Sequence, residues 1–315
     1  MQLKKLGNSG ALVSPIAFGG NVFGWTIGEK QSFEILDAFV DRGYNFVDTA
    51  DVYSVWVPGN KGGESETTLG KWFAHSGKRD KVFLATKVGF AMPGGKGLSK
   101  EWIAHEVEAS LKRLQTDYID LYQSHTDDET VPLEETLGAY DALVKAGKVR
   151  LIGASNYKGA RLAEAIETAK QHGLPVYQTL QPNYNLHTRE EYERNLEPVA
   201  EKYGLGVINY FSLANGFLTG KYKTKADAAG TKRESRVAPY FDERGERILK
   251  ALAAVEKEIG AKQASSALAW LLTRPSITAP IVSATNLAQL EDIFAAAELK
   301  LTYAQVQTLT NASAY

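Results

Sequence analysis

Cysteine is absent from the 315 residues, which removes disulfides, thiol catalysis and thiolate-held metal from consideration. Net charge is nearly absent too: 36 basic residues against 37 acidic ones leave −1 at pH 7, so no overall field draws the chain to nucleic acid or to an anionic membrane. No stretch approaches the ~20 apolar residues of a membrane span. The opening Met1-Gln-Leu-Lys-Lys-Leu-Gly7 has no apolar run after its lysines, so it does not read as a signal peptide. No His, Asp and Glu grouping has the spacing of a metal site. His75, His105, His172 and His187 fall on helices or loops and read as surface or packing residues. These absences predict a soluble, cytoplasmic protein acting on a small molecule, with no nucleic-acid or membrane partner and no metal. They leave the oligomeric state open.

What is present centres on Gly43-Tyr-Asn-Phe-Val-Asp-Thr-Ala-Asp-Val-Tyr53. Phe33, Leu36 and Val40 mark the apolar face of a helix that Gly43 ends, because glycine tolerates the left-handed turn that follows. Asn45 to Val47 then read as a short buried strand. At its end the polarity changes abruptly to Asp48, Thr49 and Asp51, with Tyr53 on the next loop. An acid at a strand tip beside a phenol suits the active face of a barrel; an Asp capping a turn next to a packed Tyr is the ordinary alternative.

The rest of the chain repeats that strand-then-helix pattern. Leu3–Leu6 and Ala11–Val13 read as a hairpin around Gly7-Asn-Ser-Gly10, expected to plug one end of the main repeat. Buried strands follow at Ile16–Phe18, Asn45–Val47, Val82–Thr86, Tyr118–Tyr122, Arg150–Ala154, Val176–Leu180, Gly206–Tyr210 and Ala279–Val282. Between them lie helices over Glu64–Phe73, from Ser99 through Ile103, Val107, Leu111 and Leu114, from Pro132 to Gly147, and over Leu162–Ala169. Another opens on the capping box Thr188-x-x-Glu191 and should bend at Pro198. Ala264–Leu272 and Leu287–Ala297 flank the last strand. Eight such units match an α/β fold of the (β/α)8 TIM-barrel type with an N-terminal β-hairpin plug, taking residues 1–315 as a single barrel domain. A doubly wound sheet is the runner-up, but the Gly-x-Gly-x-x-Gly it would carry occurs nowhere. Three long connections, Ser54–Gly63, Gly89–Gly97 and Lys221–Gly245, follow strand tips on one face and read as pocket walls.

Residues just past barrel strands converge on one mouth. Here they are Asp48 with Tyr53, then Lys87, then His125, about one repeat apart. Singly, Lys87 reads as a solvated loop end and His125 as a satisfied core histidine; together they offer acid chemistry. An ammonium ~4 Å from a phenol at an effective dielectric of ~20 is worth about 4 kcal/mol, roughly three pKa units. That would bring Tyr53 into range for a general acid. Asp48 would hold Lys87 in place, and His125 would donate to a carbonyl oxygen and orient it.

At this point the chain resembles the aldo-keto reductase superfamily nearly end to end. The resemblance is carried by Asp48-Thr-Ala-x-x-Tyr53, Gly63-Glu-Ser-Glu66, Thr86-Lys87, Leu111-x-Arg-Leu-x-Thr-Asp-Tyr-Ile-Asp-Leu121 with His125, Gly147-Lys-Val-Arg150, Gly153-x-Ser-Asn156 and Gly216-x-Leu-Thr-Gly-Lys221. It implies a (β/α)8 barrel, NADP(H)-dependent carbonyl reduction, and a catalytic tetrad at Asp48, Tyr53, Lys87 and His125. It also implies that Ser155, Asn156 and Gln178 hold the nicotinamide carboxamide, that Tyr210 stacks on its ring, and that Leu213 and Lys221 line the pyrophosphate. Gly20, Asn21, Asp48, Phe211, Ser212, Ser283, Thr285 and Gln289 complete the implied cofactor set. The segment Tyr210-Phe-Ser-Leu213 departs from the usual Tyr-Ser-Pro-Leu. After the last strand, Gln289 is kept, but Ile293 stands where an adenine-binding Asn is usual and the phosphate-guarding arginine is missing. Lys223, Lys225, Lys232, Arg233 and Arg236 of the long seventh loop are candidates to cover the phosphates. NADP is the expected cofactor, with NAD open.

Two other functions stay in view. Potassium-channel β subunits share this fold and bind the cofactor as partner subunits. An aldolase-like barrel would use Lys87 as a Schiff base, but a neighbouring Asp48 keeps a lysine charged and unreactive. Phe23, Trp25, Val55, Trp56, Phe90 and Met92 are the candidate substrate-pocket residues, apolar as ligand sites usually are. Trp25, Trp56 and Phe90 are expected to wall an apolar slot for a carbonyl or sugar-like substrate. The sequence does not name that substrate or the direction of the reaction.

Overall fold

The computed structural model describes residues 1–231 and 233–315. Lys232, one of the basic residues named in the seventh loop, lies outside the described residues. Strands β1 (Lys4–Lys5) and β2 (Leu12–Val13) form the expected antiparallel hairpin, Lys4 opposite Val13. Eight parallel strands follow: β3 (Ala17–Gly19), β4 (Phe46–Asp48), β5 (Phe83–Val88), β6 (Ile119–Ser124), β7 (Val149–Ser155), β8 (Thr179–Gln181), β9 (Gly206–Val207) and β10 (Ile281–Val282). Their spatial order is β10-β3-β4-β5-β6-β7-β8-β9. The two ends of that row meet through a bond of 2.8 Å from Ile281 N to Asn209 O, so the sheet curls into a (β/α)8 barrel. Six strands end one or two residues beyond the apolar runs that mark them in the sequence, because pairing continues into polar residues at the tips.

Helices follow the strands as expected. The Lys100–Leu114 helix opens on Ser99, whose side chain accepts from Trp102 N, and its Ile103, Val107, Leu111 and Leu114 stripe is buried. Gly43 takes φ +92°, the left-handed turn that ends the Glu29–Asp41 helix. The expected Thr188 capping box is replaced: Asn185 Oδ1 accepts from the N–H groups of His187 and Thr188. A π-helical turn over Tyr192–Leu196 runs into the Glu197–Tyr203 helix at Pro198, which has no N–H to bond back to Arg194. Helices Glu243–Ile259 and Tyr303–Ala312 are additional to the sequence expectation.

Strand side chains alternate, and the alternation sorts the core. Phe46, Ala85, Leu121, Ile208, Ala279 and Ile281 pack inside the barrel, joined by Leu6 and Val13 of the hairpin, which plugs that end as expected. Their neighbours Val47, Leu84, Tyr122, Ile152, Ala154 and Leu180 pack outward against the helices. Two residues further along, four of the inward rows end in charged or amide side chains. Phe46 leads to Asp48, Ala85 to Lys87, Leu121 to Gln123 and Thr179 to Gln181. The lower barrel is therefore apolar packing, and its upper layer is a set of buried polar side chains.

Candidate active site

Lys87 Nζ sits at the centre of that layer. It donates to Asp48 Oδ2 at 2.5 Å, to Thr49 O at 2.7 Å and to Tyr53 Oη at 3.3 Å. Lys87 and Asp48 are both buried. Burial works against the ammonium, but Asp48, then Tyr53, outweigh it and hold Lys87 above its ordinary pKa. The other oxygen of Asp48 accepts from Gln181 Nε2 at 2.8 Å and Gln123 Nε2 at 3.3 Å. A buried ion pair persists only when its remaining hydrogen-bonding capacity is filled, and the two glutamines do that here. Gln123 and Gln181 were not singled out in the sequence. The signal that finds them is the period of two that already carries Asp48 and Lys87 inward.

Tyr53 lies beside this group, its ring edge-on to Trp56 at 5.5 Å and to His125 at 5.8 Å. Its acidity differs from the sequence expectation. Burial raises the phenol pKa, Lys87 lowers it, Asp48 raises it again, and the balance lies above the ordinary tyrosine value. The attraction of the Lys87 cation is real, but desolvation of the buried hydroxyl is the larger effect. Tyr53 is a fully protonated donor held by a cation.

His125 follows β6, its backbone N–H bonded to Val88 O at 2.8 Å. Its ring packs on Phe90 at 4.2 Å, and its buried Nδ1 has no hydrogen-bond partner among the described residues. Burial, then the Lys87 charge, pushes the imidazole well below its ordinary 6.5. Folded His125 is neutral, whereas unfolded it takes a proton below pH ~6.5. The stability linked to this group is complete above ~6.5 and is lost as pH falls, by up to about 1.4 kcal/mol per pH unit until the folded ring itself titrates. His125→Gln is expected to flatten the pH dependence of the urea unfolding free energy between about pH 6.5 and 5. Parallel slopes in wild type and variant would refute a neutral buried His125.

The residues carried over for a cofactor gather in two places. Around the barrel mouth, Ser155 Oγ donates to Gln181 O at 2.9 Å. Asn156 Nδ2 donates to His125 O at 2.8 Å, and Tyr210 Oη donates to Asn156 Oδ1 at 2.8 Å. Phe211, 42% exposed, stands edge-on to the Tyr210 ring. Gln178 is not in this group. It shares strand parity with Leu180, which faces the helices, and its amide donates to Val176 O. The glutamine in this group is Gln181, whose backbone O meets Ser155 and whose amide meets Asp48. Ser212 spends its hydroxyl on Asn209 O and Ile281 O inside the fold.

The second group joins β3 to β10. Ser283 Oγ donates to Gly19 O at 2.6 Å and meets Asn21 Oδ1 at 2.8 Å. A Cβ on Gly20 would lie 2.9 Å from Ser65 Oγ, so the backbone here is closely backed. Gln289 Oε1 accepts from both the N–H and the hydroxyl of Thr285, and Asn286 caps the Leu287–Glu298 helix whose N-terminus faces this corner. Ile293 is buried in the outer core. Lys221 is exposed, with Nζ 4.6 Å from the Tyr222 ring centre; Leu213 is half-buried. Lys223 and Lys225 are exposed, while Arg233 and Arg236 are half-buried.

Of the candidate pocket residues, three aromatics meet the catalytic group or one another. Trp25 and Trp56 meet edge to face at 5.7 Å, and Trp56 reaches Tyr53 while Phe90 covers His125. Phe23 does not line the mouth: it is fully buried and stacks on Phe18 in the outer core at 5.6 Å. Val55 is exposed on its loop, and Met92 turns back to pair with Gly95. Among the described residues no cluster of His, Asp and Glu is placed to hold a metal ion, and no helix is long and apolar enough to cross a membrane.

Comparison with known proteins gives the chain's relatives. The model of the Aldo/keto reductase family matches residues 15–314. The chain is 38% identical to the uncharacterized oxidoreductase YrpG of Bacillus subtilis over 310 residues, covering 96% of this chain and 92% of that protein. It is 35% identical to the aldo-keto reductase YhdN of the same organism, covering 87% and 81%. It is 31% identical to a probable voltage-gated potassium channel subunit beta of Arabidopsis thaliana, covering 93% and 90%.

Proposed function

The chain belongs to the aldo/keto reductase family, and from that premise we propose that it reduces an aldehyde or ketone to the alcohol with NADPH, Tyr53 giving the proton. The observation that carries the reading is Lys87 Nζ bound at once to Asp48 and to the Tyr53 hydroxyl in a buried layer. A phenol in that position donates to a carbonyl oxygen, and the phenolate it leaves is met by an ammonium already in place. Asp48 keeps Lys87 charged and aimed; Gln123 and Gln181 keep Asp48 turned toward it. Neutral His125 is a hydrogen-bond donor for the same carbonyl oxygen and sets its orientation. A charged Lys87 is a poor Schiff-base nucleophile, which disfavours the aldolase-like alternative.

The residues present fit a nicotinamide cofactor. Tyr210 offers a half-exposed ring face, and Ser155, Asn156 and Gln181 form one amide-and-hydroxyl set beside it. The helix N-terminus at Asn286, with Thr285 and Gln289, suits a phosphate. When bound, the nicotinamide supplies the hydride. Because no arginine stands in the Ser283–Thr285 corner, discrimination between the two cofactors should be modest. Titration of NADPH and NADH by fluorescence quenching is expected to give a preference below ~1000-fold, or ~4 kcal/mol; a larger one would contradict the reading of that corner.

A second reading, a cofactor-binding subunit with little turnover, is favoured by the plant relative named as a channel subunit. NADPH consumption over a panel of aldehydes, ketones and keto sugars separates the two. Multiple turnovers on any member support the reductase; tight NADPH binding with no turnover on the whole panel supports the subunit.

A further inference from the structure

Two arginines of the long loop after β9 lie against the aromatic wall. The Arg236 guanidinium is 4.7 Å from the centre of the Trp25 ring and 5.5 Å from that of Trp56. Arg233 is 5.6 Å from Trp25, and one of its nitrogens donates to Asn215 O at 3.0 Å. Both are half-buried, and among the described residues neither is paired with a carboxylate. Glu64, an acid on the same rim, is turned instead to the backbone N–H groups of Ser54, Lys61 and Gly62. Burial lowers both guanidinium pKa values, and for Arg233 the neighbouring Arg236 adds to the effect. Trp56 Nε1 is a further buried donor there with no partner among the described residues.

Half-burying two like charges beside an unpaired N–H is costly unless an anion completes the group. The aromatic rings fix where such an anion sits, since both guanidiniums lie within cation–π distance of them and, among the described residues, only the Arg233 bond to Asn215 O uses any of their N–H groups. The Trp56 ring that Arg236 covers is the one that meets Tyr53 at 5.5 Å. Arg236 therefore stands one ring away from the phenol with Arg233 behind it on Trp25, and the Trp25–Trp56 wall has a positive end.

We propose that Arg236 and Arg233 form an anion seat at the rim of the site, and that the preferred carbonyl substrate carries a carboxylate or phosphate at the end away from its carbonyl. The reacting end rests on the reductase reading; the seat does not. The cofactor's phosphates are the other source of the same chemistry, and the test keeps the two apart. Wild type, Arg236→Gln and Arg236→Lys are assayed on 4-carboxybenzaldehyde and benzaldehyde at saturating NADPH, and their Kd for NADPH is measured. For Arg236→Gln, the ratio of kcat/KM for the charged to the neutral aldehyde is expected to fall about tenfold or more, with Arg236→Lys restoring part of it. An unchanged ratio overturns the proposal, and a Kd for NADPH raised about tenfold alongside it would assign Arg236 to the cofactor. Benzene-1,4-dicarboxylate gives an arm free of turnover. It is expected to quench tryptophan fluorescence saturably in wild type and not in Arg236→Gln. If wild type reduces neither aldehyde, the reductase reading is left to the wider panel and the seat is judged on quenching alone, with no quenching in wild type overturning it.

Discussion

Tyr53→Phe is expected to remove nearly all carbonyl reduction while leaving NADPH binding and the fold close to wild type. The substitution takes away one hydroxyl. The ring keeps its edge contacts with Trp56 and His125, and Lys87 keeps its bonds to Asp48 and Thr49 O. What goes is the proton and the phenolate that Lys87 stabilises. General acid catalysis is typically worth 10²–10⁴-fold, or about 3–5 kcal/mol. Single-turnover kinetics with bound NADPH read the loss directly. A variant retaining more than about a tenth of the wild-type rate, a loss under ~1.4 kcal/mol, would exclude Tyr53 as the acid.

Lys87→Met should cost stability as well as chemistry. Asp48 is buried, and the substitution removes the cation bound to its Oδ2 while the two glutamines stay on its Oδ1. Stranding one member of a buried ion pair typically costs 3–5 kcal/mol. The urea midpoint is expected to drop accordingly and turnover to vanish. Adding Asp48→Asn removes the stranded charge, so the double variant should regain most of the stability and none of the activity. If Lys87→Met unfolded within about 1 kcal/mol of wild type, the Asp48–Lys87 pair would not be the buried ionic contact its geometry describes.

The barrel was legible in the sequence because its repeat is: apolar strand, polar tip, amphipathic helix. Asp48, Lys87 and His125 were legible for the same reason, each falling at a strand end one repeat from the last. Reading a strand as its apolar run stops at the first polar side chain, yet inward polar residues remain paired in the sheet. The sixth strand reads as Val176–Leu180 in the sequence and the resemblance implies Gln178, whereas β8 is Thr179–Gln181 and its inward amide is Gln181. Phe23 follows a strand as Trp25 does, and nothing in the pattern says that the 3-10 turn at Gly20–Val22 sends one ring into the core and leaves the other at the rim. The Glu243–Ile259 helix was open to reading from its Asp242 cap and its Ile248, Leu252, Val255 stripe, but it was masked by treating Lys221–Gly245 as one loop. The acidity of Tyr53 was not readable at all, since desolvation depends on what surrounds the hydroxyl in space.

The position of β3 has a consequence for synthesis. It lies between β4 and β10, with Ala17 opposite Ile281 and Phe18 opposite both Val47 and Val282. The hairpin ahead of it waits on a late partner too, since Asn8 N bonds to Gly204 O. A chain leaving the ribosome amino end first exposes its first parallel strand long before the strand that completes it exists. Until residue 282 has emerged, one edge of Ala17–Gly19 stays unpaired, the kind of edge that invites association between nascent chains. Closing that gap joins residues from opposite ends of the chain, so completion of the barrel is a late event set by chain length rather than by local propensity.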